Sequence, residues 1–371
     1  MDKPYTNSSI FTIMEQWAPL HLAYDWDNVG LQIGSHNKPI QKIMVTLDVM
    51  ESVVDEAIEN NVDLIIAHHP LLFKSLKSLN TDSSRGRIIA KLLEHGITVY
   101  ASHTNLDAAV GGVNDMLGDA LQLESSEVLV ETHKESLYKI AIYVPHSHKG
   151  EVHDALSANG AGHIGDYSHC SFQTDGIGTF KPLEGANPYI GTKDEMEKVD
   201  EVKIETIVPK NKLSVVLNAV IKSHPYEEPA YDVYPLQNEG TQFGIGRIGD
   251  LHTPMRLEDF CENVKSSFGI SNLRVTGDLS KKVKRVAILG GSGEKYIQAA
   301  KRKGADVYVT GDMTFHIAQE AWQMGLTVID AGHYIETIMK DGTKDYLEKH
   351  LNKESIEVIV SKANTDPFQF V

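Results

Sequence analysis

Residues 43–70, IMVTLDVMESVVDEAIENNVDLIIAHHP, decide the fold. Ile43 to Leu47 is an apolar run that reads as a strand. Val53, Val54, Ala57 and Ile58 recur at helical spacing and mark one buried helix face, and Leu64 to Ala67 is a second apolar strand. Two strands joined by a helix of that length run parallel through a right-handed crossover. The pattern continues with Ile88, Ile89, Leu92 and Leu93 on a helix closed by Gly96. A third strand at Ile97 to Ala101 and a helix carrying Val113, Met116, Leu117 and Ala120 follow.

The same alternation returns near the other end. Val286 to Leu289, Val307 to Thr310, Leu326 to Asp330 and Ile356 to Val360 read as strands with helices between them, so the second half mirrors the first. Between the halves the pattern changes. Leu137 to Val144 reads as a strand, Val152, Ala155 and Leu156 as a helix face, and His169 to Thr174 and Glu201 to Val208 as strands. Leu213 to Val220 then reads as a helix and Ala230 to Tyr234 as a last strand. That order, β-α-β-β-α-β, is the ferredoxin-like arrangement. The expected fold is α/β: two α/β halves, 1–129 and 239–371, forming one domain interrupted by a ferredoxin-like insert at 130–238.

Composition narrows the function. The 371 residues suffice for two or three domains at about 150 residues each. Their 41% hydrophobic and 23% charged content is that of a globular chain. A net charge of −16 disfavours generic binding to a polyanion. Cys170 and Cys261 are the only cysteines, too few for a disulfide framework or a thiolate zinc site, whereas there are 17 histidines. Metal chemistry here is therefore imidazole and carboxylate chemistry. No signal-peptide pattern opens the chain and no apolar stretch approaches the roughly 18 residues of a membrane span, so a cytoplasmic, soluble protein with no membrane partner is expected.

The candidate chemistry gathers at strand ends. His68 and His69 follow Ala67 at the carboxyl end of a parallel strand, where open α/β sheets place ligands. A turn at Pro70 can aim both imidazoles into one cleft from different angles, which suits two metal ions; two capping or surface histidines are the alternative. The next strand leads into Ser102-His103-Thr104-Asn105-Leu106-Asp107. Asp107 can bridge two cations, or it can be a turn and cap residue. His333 and Glu336 lie three apart on a helix after Asp330, so they share a face and can serve one centre, or Glu336 can be a first-turn acid. Asp312 and His316 follow Thr310 and, with His103, are candidates for proton transfer; a helix N-cap is the other reading of Asp312. Gly290, Gly291 and Gly293 make a turn before a helix that fits a phosphate, or a tight turn with no ligand. Short basic runs at 281–285 and 301–303 read as solvated faces. Tyr226, Tyr231 and Tyr234 in the insert fit a ligand site or packing at a strand end or subunit contact.

Several motifs carry a family resemblance. Asp27-Asn28-Val29-Gly30-Leu31-Gln32-Ile33-Gly34, Ala67-His68-His69-Pro70, Thr104-Asn105-Leu106-Asp107, Gly244-Ile245-Gly246-Arg247-Ile248-Gly249 and Gly332-His333-Tyr334-Ile335-Glu336, in this order, resemble the Nif-three-like family, whose members are known as GTP cyclohydrolase 1 type 2 homologues. The insert, with Gly160-Ala161-Gly162-His163-Ile164-Gly165 and His224-Pro225-Tyr226-Glu227-Glu228-Pro229, is similar to the extra domain of the longer bacterial members, which resembles the PII and CutA-type trimeric fold. The resemblance implies a dinuclear site with His68, His69, Asp107, His333 and Glu336 as ligands to two divalent ions per chain. It also implies a toroidal homohexamer built from trimers.

Three functions compete. The first is a metal-dependent hydrolase acting on a nucleotide or another small phosphorylated compound, with Zn, Fe or Mn as the metal. The second is a non-catalytic metal-binding assembly with a regulatory or scaffold role. The third is interaction with DNA or a transcription factor, which the resemblance suggests and the net charge of −16 disfavours.

Overall fold

The computed structural model describes residues 4–352 and 354–371. The chain falls into two compact units. One runs up to His133 and resumes at Phe243; the other is Lys134–Gln242. The division lies four residues beyond the expected 130–238 at each end. The reason is that Glu124–Lys134 and Gln242–Arg256 are neighbouring strands of one sheet, so the chain leaves the first unit only after the former has been laid down.

The first unit holds two sheets. The five-stranded sheet has the order Gly30–Ile33, Thr98–Ala101, Leu64–Ala67, Lys42–Thr46, Glu357–Val360. The last four strands are parallel and Gly30–Ile33 is antiparallel to its neighbour. Leu64–Ala67 and Thr98–Ala101 are buried at every position, as strands covered on both faces must be. The six-stranded sheet has the order Arg274–Val275, Thr327–Asp330, Val307–Gly311, Lys282–Ser292, Gln242–Arg256, Glu124–Lys134. Its three central α/β strands, Lys282–Ser292, Val307–Gly311 and Thr327–Asp330, are parallel.

Two sequence expectations change here. The strand at 356–360 belongs by sequence to the second half, yet Glu357 to Val360 pair with Lys42 to Val45 in the first sheet. It covers an edge that would otherwise expose a row of unpaired backbone groups. The glycine-rich stretch after Leu289 is not a turn at its start, because the strand Lys282–Ser292 runs through Gly290 and Gly291.

One core joins Ile43, Val45, Leu64 and Ile66 of the first sheet to Val286, Ile288, Val307 and Val309 of the second, with helical residues such as Val113, Leu117 and Met339 among them. Val53, Val54, Ala57, Ile88 and Leu92 make a second core on the other face of the first sheet. The helix Ser84–Glu94 starts on Ser83, whose hydroxyl accepts from the Gly86 amide, and a left-handed Gly96 follows its end.

The second unit has the order Leu137–Pro145, Lys149–Ala158, Phe172–Phe180, Glu197–Pro209, Leu213–Ser223, Tyr231–Pro235. Its sheet is antiparallel throughout, with Glu197–Pro209 and Leu137–Pro145 central. Val152, Leu156, Val216 and Val220 of the helices pack on Ile140, Ile142, Val144, Val202 and Ile204. The strand expected from His169 begins at Phe172, because His169 takes a left-handed conformation that ends the preceding turn.

Candidate metal centre

In the first unit the carboxyl ends of the parallel strands of both sheets bring five side chains to one place. His68 and His69 follow Leu64–Ala67, and Asp107 sits on the short helix Thr104–Ala108 after Thr98–Ala101. His333 and Glu336 lie on the helix His333–Thr337 after Thr327–Asp330. That helix is a 3-10 helix, in which residues three apart eclipse, so the two side chains project together.

Glu336 is the hub. Its Oε2 lies 3.2 Å from His69 Nε2, 3.2 Å from His333 Nε2 and 3.8 Å from His68 Nε2. His68 Nε2 is also 3.6 Å from Asp107 Oδ1. Two triads result, His68 with Asp107 and Glu336, and His69 with His333 and Glu336; within each the potential ligand atoms fall within 4.8 Å of one another.

The other nitrogen of each ring decides what Nε2 can do. Nδ1–H of His68 donates to the Ser102 carbonyl at 2.9 Å, that of His69 to Asp48 at 2.7 Å and that of His333 to Asp312 at 2.7 Å. Carbonyl and carboxylate oxygens only accept, so each neutral imidazole carries its proton on Nδ1 and turns a lone pair inward at Nε2. Three lone pairs and two carboxylates therefore face one another. Among the described residues, His68 Nε2 and Asp107 Oδ1 are buried without a hydrogen-bond partner. Such a set of acceptors is unfavourable unless protons or cations lie between them.

With protons alone, the charges of the cluster conflict. Burial opposes charging of His69, but Asp48 and Glu336 outweigh it and push its pKa up to about 10. Glu336 raises His333 to about 9 against the effect of burial. Burial also works against Glu336, yet its histidine partners hold it well below the usual carboxylate range. Asp107 is pushed up to about 7 by burial and by the Glu336 charge. A divalent cation can replace such protons, since imidazole and carboxylate ligands bind metal in competition with hydrogen ions.

The remaining predicted residues divide. His103 borders the same group, its ligand atom grouping with those of His68 and His69, and its Nδ1 lies 2.9 Å from the buried Asp27. Asp27 also accepts from the Thr104 hydroxyl; against the cost of burial, His103 and Thr104 hold its pKa down at about 2. Asp312 is not the N-cap of the following helix, a position filled by Thr314; it sits at φ 55° and orients His333. His316 is exposed on that helix and faces Gln319. The Gly290 amide donates to Asn114 Oδ1, and a Cβ on Gly291 would stand 2.7 Å from Glu336 Oε1. These two glycines therefore make room for the cluster. Gly293 accepts from the Tyr308 hydroxyl.

Sequence reasoning missed Asp48, Asp27 and Asn114. Asp48 lies just past Ile43 to Leu47, at the same sheet edge as His68, so the rule that located the histidines could have found it. Asp27 opens the family motif at 27–34, which gave it no role of its own, and Asn114 carries no spacing signal.

Two cavities open on the centre. One of about 500 Å³ is walled by Tyr24, Trp26, Phe73 and Tyr296 and reaches His69, Asp107 and Glu336. The other, about 920 Å³, meets His69 and His333 and is bordered by Arg274, Tyr334, Phe368 and Phe370.

Comparison with known proteins agrees with this architecture. The family model described as Duf34/NIF3 (NGG1p interacting factor 3) matches residues 5–367. A Bacillus subtilis protein named GTP cyclohydrolase 1 type 2 homolog is 52% identical over 373 residues, covering 100% of both chains. A crystal structure of a Bacillus cereus protein related to NIF3 superposes with a TM-score of 0.95 at 47% identity, covering 100% of both chains. A Staphylococcus aureus protein of known structure gives 0.78 at 36% identity, again over 100% of both. The chain belongs to the Duf34/NIF3 family.

Proposed function

We propose that the cluster holds two divalent cations, Zn, Fe or Mn, and that the protein is a metal-dependent hydrolase of a nucleotide or another small phosphorylated compound. The observation that carries this reading is the convergence of three Nε2 lone pairs on Glu336 and Asp107, with two of the atoms buried and unpartnered. Imidazole and carboxylate donors suit these metals. Bound there, a cation pair supplies Lewis acidity, which favours ionised water at neutral pH and polarises a phosphoryl group or a ring carbon.

The chain supplies the rest. Ser102, Asp48 and Asp312 fix the tautomers of His68, His69 and His333. His103, braced by Asp27 and lining the 500 Å³ cavity, is placed to take or give a proton. Tyr24, Trp26 and Phe73 give that cavity flat apolar walls suited to a planar ring, and Trp26 is 58% exposed, free to contact a ligand. The name of the Bacillus subtilis relative is consistent with a purine ring there. A toroidal homohexamer is part of the same proposal and rests on the family resemblance.

The test is a turnover screen over nucleotides and small phosphate esters, with and without chelator, beside calorimetry with GTP and a DNA duplex. The expected result is metal-dependent turnover that His333→Ala abolishes and Trp26→Ala weakens. Duplex binding that survives His333→Ala, with no nucleotide bound or turned over, would discard the proposal.

A further inference from the structure

The second unit contains a cleft of its own, about 470 Å³, whose walls include Tyr143, Phe180, Tyr189 and Tyr226. Glu201, only 7% exposed, lines it from the strand Glu197–Pro209. Its neighbours Val202 and Ile204 belong to the core under the helices. By the alternation of a strand Glu201 faces away from Val202, and there the cleft encloses it. Among the described residues its carboxylate receives one side-chain hydrogen bond, from the Tyr226 hydroxyl to Oε1 at 2.9 Å, and forms no ion pair. Oε2 lies over Gly178 of the adjacent strand, where a Cβ would stand 2.2 Å away. Gly178 thus leaves room for the carboxylate in this position.

The surroundings are built around Tyr226. His224, also 7% exposed, donates from Nε2 to the Tyr143 carbonyl at 2.9 Å and accepts at Nδ1 from the Tyr226 amide at 3.1 Å. Both ring nitrogens are used, so the turn His224-Pro225-Tyr226 is fixed. The ring of Tyr226 lies 5.8 Å from that of Phe180 and 6.4 Å from that of Tyr189, tilted at 61° and 47°. Glu227 and Glu228 add two further carboxylates to the lining, which contains no lysine or arginine. A buried carboxylate with one neutral hydroxyl partner lacks the countercharge that buried charges ordinarily have.

We propose that this cleft binds a small organic cation, an alkylammonium group set against Glu201 and enclosed by the tyrosine and phenylalanine rings. The carboxylates select positive charge and exclude anions. The aromatic, largely apolar walls favour a cation with an alkyl surface over a hydrated metal ion, by the attraction of a cation to ring faces within about 6 Å. The residues lining the cleft all belong to the second unit and include none of the five proposed metal ligands, so the proposal does not rest on what the metal centre does.

The experiment is calorimetry on the full-length protein with choline and butylammonium, using dimethylbutanol, the uncharged carbon isostere of choline, as control. Saturable binding of at least one cation is expected, with weaker or no binding of dimethylbutanol. Glu201→Gln keeps an acceptor for Tyr226 and removes the charge; it should weaken cation binding roughly tenfold or more, as loss of a charged hydrogen-bond partner does. Tyr189→Ala alters a side chain that is 56% exposed, so folding is not at stake, and should weaken binding several-fold. Metal content should be unchanged in both variants. Absence of binding by either cation to the folded wild type, equal affinity for choline and its isostere, or cation affinity unaltered by Tyr189→Ala or by folded Glu201→Gln would overturn the proposal.

Discussion

The Nε2 atoms of His69 and His333 stand 3.2 Å apart, although the residues are 264 positions apart in the chain. Each ring donates its Nδ1–H to a carboxylate, His69 to Asp48 and His333 to Asp312. Two neutral imidazoles in this arrangement repel through their lone pairs, and two protonated ones repel through their charges. A shared proton or a cation relieves both, and Glu336 Oε2, 3.2 Å from each nitrogen, adds the negative charge that favours a cation.

Removing the support of one imidazole should loosen the metal without disturbing the fold. Asp312→Ala takes away the group that orients His333, and the Asp312 side chain is 41% exposed, so no packing is lost. Metal affinity should fall about 10–100-fold, the usual effect of losing such a partner, while the metal-free protein stays folded. Titration against a chromophoric chelator measures it, and unaltered affinity would show that Asp312 does not position His333.

Glu56 gives a pH-dependent stability term away from the centre. Its carboxylate accepts from the Ser361 hydroxyl at 2.6 Å and from the Lys362 and Ala363 amides at 2.9 and 3.2 Å. Partial burial raises its pKa, but these donors outweigh that effect and the net shift is downward. A lowered folded pKa adds stability above the unfolded value of about 4.3, and that stability is lost as pH falls through the folded value. Glu56→Gln should therefore cost about 1–2 kcal/mol at neutral pH and progressively less as the carboxylate protonates. Denaturant unfolding across that range should show the two proteins converging; a constant difference would contradict the assignment.

Residues 134–242 should be removable. Glu135 donates to the Thr241 carbonyl at 2.9 Å, so the two ends of the segment are adjacent and a short linker can join the flanking strands. All five proposed ligands lie outside the segment, in a unit with its own cores. The shortened protein should be soluble and keep its full metal content by elemental analysis. Loss of both would show that the segment is integral to the fold of the centre.

Much of this was legible in the sequence because strand ends are where parallel sheets put ligands. His68, His69, Asp107, His333 and Glu336 each follow a readable apolar strand, and the structure brings those five together. The crossing of Glu357–Val360 into the first sheet was not legible, since an apolar run reports a strand and says nothing about which sheet has an open edge. Gln242–Arg256 was hidden by Gly244, Gly246 and Gly249, which lower strand propensity. There a Cβ on Gly244 would stand 2.1 Å from the Val130 carbonyl, so close strand approach excludes a side chain. Asp27 escaped notice as a support because it reaches His103 across 76 residues.

The most direct test of the central claim is elemental analysis with anomalous diffraction on wild type and Glu336→Gln. The account predicts two divalent ions per chain, one among His68, Asp107 and Glu336 and the other among His69, His333 and Glu336, with both weakened together when Glu336 loses its charge. Full metal content in Glu336→Gln, or ions bound elsewhere with these five side chains left unligated, would contradict it.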